Sequence, residues 1–489
     1  MPNLKNSNVQ KLYILSLGGL FESLSYYGLL AILVLYLTKV SLFSDSKSYS
    51  FFGIFTILAF SAPLLGGLVA DQLLGYRKTI ILGAIFLIIG NLLLFIPLFR
   101  SLCFGLAFII CGTGLYKANC TSLVGTLYKN FDSSHQRGYT LFYTATNVGA
   151  MSGPIIYGIT TSHSYWIFGF IISAICIFLN LLLFLKFFTN NFYKKNSFSS
   201  MQQSLPRYLN FDWIVYFIIF CTPLLISYLF YYDILSTKFI PIYILAITAI
   251  LLTIIFKQIA EVRRIILSLM MIFFFAMFFF AITLQVFTSI NIFIDRNINH
   301  HLGAWNIPTI MFSSLYPMAV IIMAPMITSL WKMLSEQKLE PTVLIKIFFG
   351  LILAGCGFIC FALAATESIS SHYNPLILIV IGNLFLGTGE LCIMPSILSA
   401  ISRFAPKSLQ GTLMGALFLF IAFAGYLSSA IAKLSIYIHP PISILMTKNS
   451  GAFIYSHFFK YLSFMALGMA LLFLMLIPLI NLIMKEKTN

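Results

Sequence analysis

Glu22, Lys117 and Glu390 each stand inside a long apolar run of this chain. At the centre of a spanning helix such a residue costs roughly 2.5–3.5 kcal/mol, so it is kept where it faces an internal cavity. Two acids and a base around one cavity can hold a solute that carries both an ammonium and a carboxylate, or pass a proton. Lys117 is the expected carboxylate contact and Glu390 the amine contact, with Glu22 and Glu390 as the candidate proton carriers. A Glu22–Lys117 pair at rest is part of this reading; its bland counterpart is a permanent bridge that only fastens two helices. Tyr26, Tyr27, Asn147 and Gln285 are the neutral polar candidates for the cavity wall, each with a helix–helix hydrogen bond as the competing role. These residues predict a transporter in which a cation from the front half of the chain and an acid from the rear half serve one cavity.

The elements that must position these residues are membrane-spanning helices. The chain has 489 residues, 60% hydrophobic and only 9% charged, with a mean hydropathy of +0.98. Stretches of the roughly 20 apolar residues needed to span recur from Lys11 onward. Six fall between 11 and 189, a pair within 212–256, and six more between 262 and 483, giving about fourteen. The first stretch, about Leu12 to Thr38, is too long for a signal-peptide core and reads as a span. Between the halves, Asn190 to Asn210 is polar and basic, as a cytoplasmic linker is. The expected organisation is an N-terminal six-helix bundle (1–190), a linker with two extra helices (191–261) and a C-terminal six-helix bundle (262–489).

The net charge of +16 does not point to nucleic acid, because it gathers in alternate loops. Arg77 and Lys78, Lys129 and Arg137, Lys194 to Arg207, Lys257 to Arg264, Lys332 and Lys338, and Arg403 and Lys407 all become cytoplasmic if both termini are. The eight cysteines sit in apolar segments without metal-ligand spacing and read as small hydrophobes. No nucleophile–base pair or metal cluster is apparent, and Gly112-x-Gly114 lacks the strand a phosphate loop requires. An enzyme is the weakest class, and no cofactor is expected.

The motifs are more specific. GGLVADQLLGYRKTIILG, Gly66 to Gly83, puts Asp71 at a helix end beside Arg77 and Lys78, where the three can act as an ionic latch or simply set topology. It resembles the Gly-Gly-x-x-Ala-Asp-x-x-x-Gly-x-x-x-Thr-Ile signature of the proton-dependent oligopeptide transporter family, within the major facilitator superfamily. LFYTATNVGAM from Leu141 is similar to that family's Phe-Tyr-x-x-Ile-Asn-x-Gly pattern. GTGLYKANCTSLVGTLY from Gly112 resembles its fourth-helix motif with Lys117 and Asn119, and GTGELCIMPSILSAISRFAP from Gly387 its tenth-helix motif with Glu390. QVFTSINIFIDRN from Gln285, followed by Trp305, Pro308, Pro317 and Pro325, fits the seventh and eighth helices.

The resemblance covers nearly the whole chain. It implies an all-α membrane protein of the major facilitator fold that moves di- or tripeptides with protons by alternating access. It further implies a monomer in a bacterial plasma (inner) membrane, its partners being a short-peptide or other small-molecule substrate, protons and the lipid bilayer. The first-helix pattern Glu-x-x-Glu-Arg-Phe-x-Tyr-Tyr-Gly is pared here to Gly19, Glu22, Ser23, Leu24, Tyr26, Tyr27 and Gly28. Leu30, Phe60, Leu284, Tyr316 and Leu417 likewise replace an arginine, a tyrosine, an acid, an asparagine and a tryptophan of the family pattern. The alternative these departures leave open is the same fold carrying an amino acid, a nitrogenous metabolite, a drug-like molecule or an anion, as uniporter or exchanger.

Overall fold

The structure is a computed structural model describing residues 2–127, 133–162, 168–188, 212–232, 256–299, 301–302, 305–370, 375–404, 410–438 and 450–485, with a few positions between 240 and 253. Lys129, the linker Asn190 to Asn210 and most of the segment 237–256 lie outside the described residues. The helices, in chain order, are α1 (Pro2–Lys39), α2 (Asp45–Val69), α3 (Tyr76–Leu94), α4 (Phe99–Thr126), α5 (Ser133–Ser162), α6 (Phe168–Phe187) and α7 (Asp212–Tyr231). They continue with α8 (Ala260–Thr283), α9 (Ser289–Asn297), α10 (Leu315–Glu336), α11 (Val343–Ser370), α12 (Leu376–Phe404), α13 (Gln410–Lys433) and α14 (Ser450–Lys485). A two-residue antiparallel pairing of His301–Leu302 with Trp305–Asn306 follows α9.

Helices dominate because hydrocarbon offers no partner to a backbone N–H or C=O, so each segment must satisfy its own. Among the described residues, twelve helical segments are long and apolar enough to cross a membrane. The 30-residue α5 is more polar, yet its length of about 45 Å exceeds a hydrocarbon core of about 30 Å. α6 shows how a span divides its surface. Gly169, Phe170, Ser173, Ala174, Ile177, Asn180, Leu181 and Phe184 form one buried stripe at helical spacing. Ile175, Phe178, Leu179 and Leu182 face outward.

The chain divides into two compact units. One comprises residues 1–30 and 58–235, the other 31–57 and 236–489. In the first, α2 ends in a wide helical turn, Ala70–Leu74, closed by Gly75 at φ +78°. A Cβ is strained at that dihedral, which is why glycine stands there. Helix contacts in this unit are close: a Cβ on Gly149 of α5 would come within 2.1 Å of the Leu20 carbonyl oxygen on α1. Gly66 meets Gly114 in the same way, a Cβ there falling 2.0 Å from the Gly114 carbonyl oxygen, so these glycines serve tight packing.

In the second unit, α8 breaks into a tighter turn at Leu284–Phe287 before α9 resumes. Gln285, fully buried, pins the break: its amide donates to the Ser428 carbonyl at 2.9 Å and accepts from Ser289 at 2.6 Å. The hairpin 31–57 is fixed to α9 by three polar contacts. Asn291 donates to the Ala31 carbonyl at 2.7 Å, Lys39 pairs with Asp295 at 2.5 Å, and Arg296 clasps Asp45 through two bonds of 2.7 and 2.8 Å. Ser429 of α13 also donates to the Tyr49 carbonyl.

Candidate functional site

In the first unit, α1 and α4 bring Glu22 and Lys117 together. Glu22 is buried to 2% exposure, and its Oε2 lies 3.7 Å from the Lys117 ammonium. Lys117 is the accessible partner, its side chain 33% exposed. The close α1–α5 contact at Gly149 brings Leu20 against α5, and Glu22 lies half a turn further along α1. Tyr26 is one turn beyond Glu22 on the same face. Its ring centroid is 5.1 Å from Lys117 Nζ and that of Tyr27 is 5.8 Å away. Two aromatic faces and one carboxylate therefore surround the ammonium, each attractive to a cation. Phe60 packs edge-on against Tyr26, with centroids 5.7 Å apart.

The neighbours of Lys117 in sequence serve the scaffold. Tyr116 donates to Asn180 at 2.9 Å, tying α4 to α6. Asn119 donates to the Gly66 carbonyl at 3.1 Å, tying α4 to α2. Asn147 is half-buried on α5, and its amide donates to the Tyr143 carbonyl at 2.9 Å within its own helix. Gln285 belongs to neither acid's set of contacts; its hydrogen bonds go to the α8–α9 break and to α13.

In the second unit, Glu390 on α12 accepts a hydrogen bond from the Tyr316 hydroxyl of α10 through Oε2. The helix approach that permits this is set three residues earlier. A Cβ on Gly387 would lie 2.7 Å from the Ala319 Cβ and 3.1 Å from the Tyr316 carbonyl oxygen. Glycine there lets α10 and α12 touch, and the i, i+3 spacing puts Glu390 on the touching face. The sequence gives no acid or base next to Glu390, and it marks Tyr316 only as a replaced asparagine. The signal for the contact is that tyrosine, a hydroxyl-bearing residue where the motif offers an amide.

Asp71 accepts from the Tyr76 hydroxyl at 2.6 Å, and Arg77 donates through Nε to the Phe188 carbonyl at 2.6 Å. Lys78 is exposed. No group of three or more metal-ligating side chains occurs among the described residues.

The sequence model of the POT family matches residues 77–444 of this chain. The chain belongs to the POT family. Curated relatives cover most of the chain's length. It is 28% identical over 431 residues to the peptide transporter YePEPT of Yersinia enterocolitica, covering 82% of this chain and 83% of that one. It is 26% identical over 482 residues to dipeptide and tripeptide permease B of Photorhabdus luminescens, covering 96% and 95%. A crystal structure of a mutant peptide transporter POT with alafosfalin superposes with a TM-score of 0.82 at 24% identity, over 97% of this chain and 96% of that one. The fold is therefore that of these major facilitator-type transporters, and this POT protein is a multi-pass membrane transporter and not an enzyme.

Proposed function

We propose that this chain carries di- and tripeptides, or zwitterions of that size, across the membrane by alternating access, coupled to inward proton movement. The observation that carries the reading is the Lys117 ammonium, one-third exposed at the open end of a pair whose acid is buried. A buried pair is a poor source of stability, because desolvation offsets much of its Coulombic gain. An accessible ammonium held by one carboxylate and two ring faces can instead exchange that carboxylate for a substrate's. Protonation of Glu22 releases Lys117 to the incoming carboxylate, and loss of that proton recovers the pair. Glu390 supplies the complementary charge for the substrate's amine. Tyr27 and Asn147 line the Lys117 side of the site and Tyr26 supports it, while Gln285 acts only through the α8–α9 break. The Asp71, Arg77 and Lys78 turn serves as a cytoplasmic latch.

Family membership supports this reading, as do relatives named for peptide transport. The basic loops favour cytoplasmic termini, the bacterial relatives favour a bacterial inner membrane, and the bundle–linker–bundle organisation with a monomeric protein completes the reading. The test is uptake of a labelled dipeptide into proteoliposomes with an imposed pH gradient, acid outside. Accumulation should follow the gradient and be lost in Lys117→Ala and Glu390→Gln. Uptake that ignores the gradient removes proton coupling; uptake that persists unchanged in both variants removes the mechanism.

A further inference from the structure

The Tyr316–Glu390 hydrogen bond bears on what the second unit recognises. A carboxylate has about four acceptor positions over two oxygens. Tyr316 takes one of them on Oε2, in a bond between a neutral hydroxyl and a half-buried carboxyl group on α12. Such charge-assisted bonds are short and strongly directional. The helix contact at Gly387 leaves little play in the α10–α12 spacing, so the phenol and the carboxyl are held in register by backbone packing. One carboxylate oxygen is thereby anchored, and the rotation that presents the other is fixed.

We propose that Tyr316 is the positioning residue for amine recognition, orienting Glu390 so that its free oxygen takes the substrate's ammonium. The phenol acts through Glu390 and does not itself contact the amine. This rests on the peptide reading of the same site. Its consequence is a selectivity: Tyr316 matters for ligands that bring an amine and is indifferent to those that do not. In the motif this chain resembles, the position holds an asparagine, which is shorter than the tyrosine and carries no hydroxyl. The orientation of the acid is thus a feature of this chain's own sequence.

The experiment uses the full-length purified protein and two probes, Ala-Ala and N-acetyl-Ala-Ala, with binding read by calorimetry and uptake in proteoliposomes. Tyr316→Phe keeps the ring and removes only the hydroxyl. Ala-Ala binding should weaken about tenfold, the size expected for a lost bond to a charged group. Binding of N-acetyl-Ala-Ala should stay within about twofold. In a Glu390→Gln background the Tyr316→Phe change should add little for either probe, since a residue acting through Glu390 has nothing left to position. Equal losses for both probes, or an undiminished tenfold loss in the Glu390→Gln background, assign Tyr316 a merely structural role and overturn the inference. Failure of the wild-type protein to bind Ala-Ala overturns the peptide reading, and the inference with it. Wild-type binding with an unaffected Tyr316→Phe overturns the inference alone. A thermal melt of each variant confirms that the compared proteins are folded.

Discussion

Two intramembrane acids of this transporter, Glu22 buried and Glu390 half-buried, are answered in different chemical terms. Glu22 meets a cation, Lys117, at 3.7 Å; Glu390 meets a neutral phenol, Tyr316. The partner's charge decides what remains when one member is removed. Taking Lys117 away leaves an ion at 2% exposure with no counter-charge. Taking the charge from Glu390 leaves a phenol that still finds an acceptor. The proposed mechanism would use this difference, with the first unit exchanging one ion for another and the second holding a single ion ready.

The largest effect is expected at the charged pair. Lys117→Ala should destabilise the protein by about 3 kcal/mol, the low end for breaking a buried pair, because the lysine is partly solvated. Glu22→Gln should cost less, since it leaves the more exposed partner. The double variant Lys117→Ala with Glu22→Gln should recover most of the loss while remaining inactive in peptide uptake. Thermal melts in detergent measure the first part and proteoliposome uptake the second. A Lys117→Ala melt equal to wild type erases the contrast between the two acids.

At the second acid, Glu390→Gln should change stability by about 1 kcal/mol or less, because a glutamine oxygen can still accept from Tyr316. Uptake should nonetheless fall to background, as the amine loses its counter-charge. The split between a small melt shift and a complete functional loss separates Glu390 from a residue kept for packing. A melt shift as large as that of Lys117→Ala, with uptake intact, reverses the assignment.

Much of this was legible in the chain itself, and the reason is the solvent. Hydrocarbon forces helices, so runs such as Phe168–Phe187 declare themselves by composition alone. It also makes each intramembrane charge expensive, so Glu22, Lys117 and Glu390 stand out without coordinates. Pairing across distant segments was less visible. Glu22 on α1 and Lys117 on α4 meet through a helix approach marked at Gly18, where a Cβ would fall 2.3 Å from the Tyr116 hydroxyl, and their spacing in sequence carries no trace of it. Tyr316 is one of 25 tyrosines, so its chemistry becomes specific only once α10 lies against α12. The hairpin contacts Lys39–Asp295 and Arg296–Asp45 were hidden for the same reason: each acid also reads as an ordinary helix-end charge.

Those hairpin pairs give a smaller expected effect. The Arg296 and Asp45 side chains are 48% and 28% exposed, so solvent screens their attraction. Arg296→Ala should cost about 1 kcal/mol or less even though the pair is bidentate. Asp45→Arg should cost more through repulsion, and combining it with Arg296→Asp should restore the melt. Raising salt should shrink these differences but leave the Lys117→Ala loss nearly unchanged. Equal salt sensitivity at both places contradicts the distinction drawn between a solvated pair and a buried one.

The smallest effect belongs to Glu340, in the turn between α10 and α11. Lys346 donates to its carboxylate at 2.6 Å. That bond, with help from Ser335 and the lysine's charge, holds the Glu340 carboxyl below its ordinary value. A lowered acid stabilises the fold at pH values above its unfolded pKa of about 4.3, and the contribution disappears as pH falls through the lowered one. Lys346→Met removes the bond. The stability difference between wild type and this variant should therefore be constant near neutrality and shrink below about pH 4.3. Glu340 is 44% exposed and bonded once, where Arg296 and Asp45 are bonded twice, so the difference should stay below that of the hairpin pair. Melts from pH 7 to the lowest pH that the folded protein tolerates measure it. A gap that stays flat or widens in acid shows that Lys346 stabilises this turn through its packing over Trp331, not through the carboxylate.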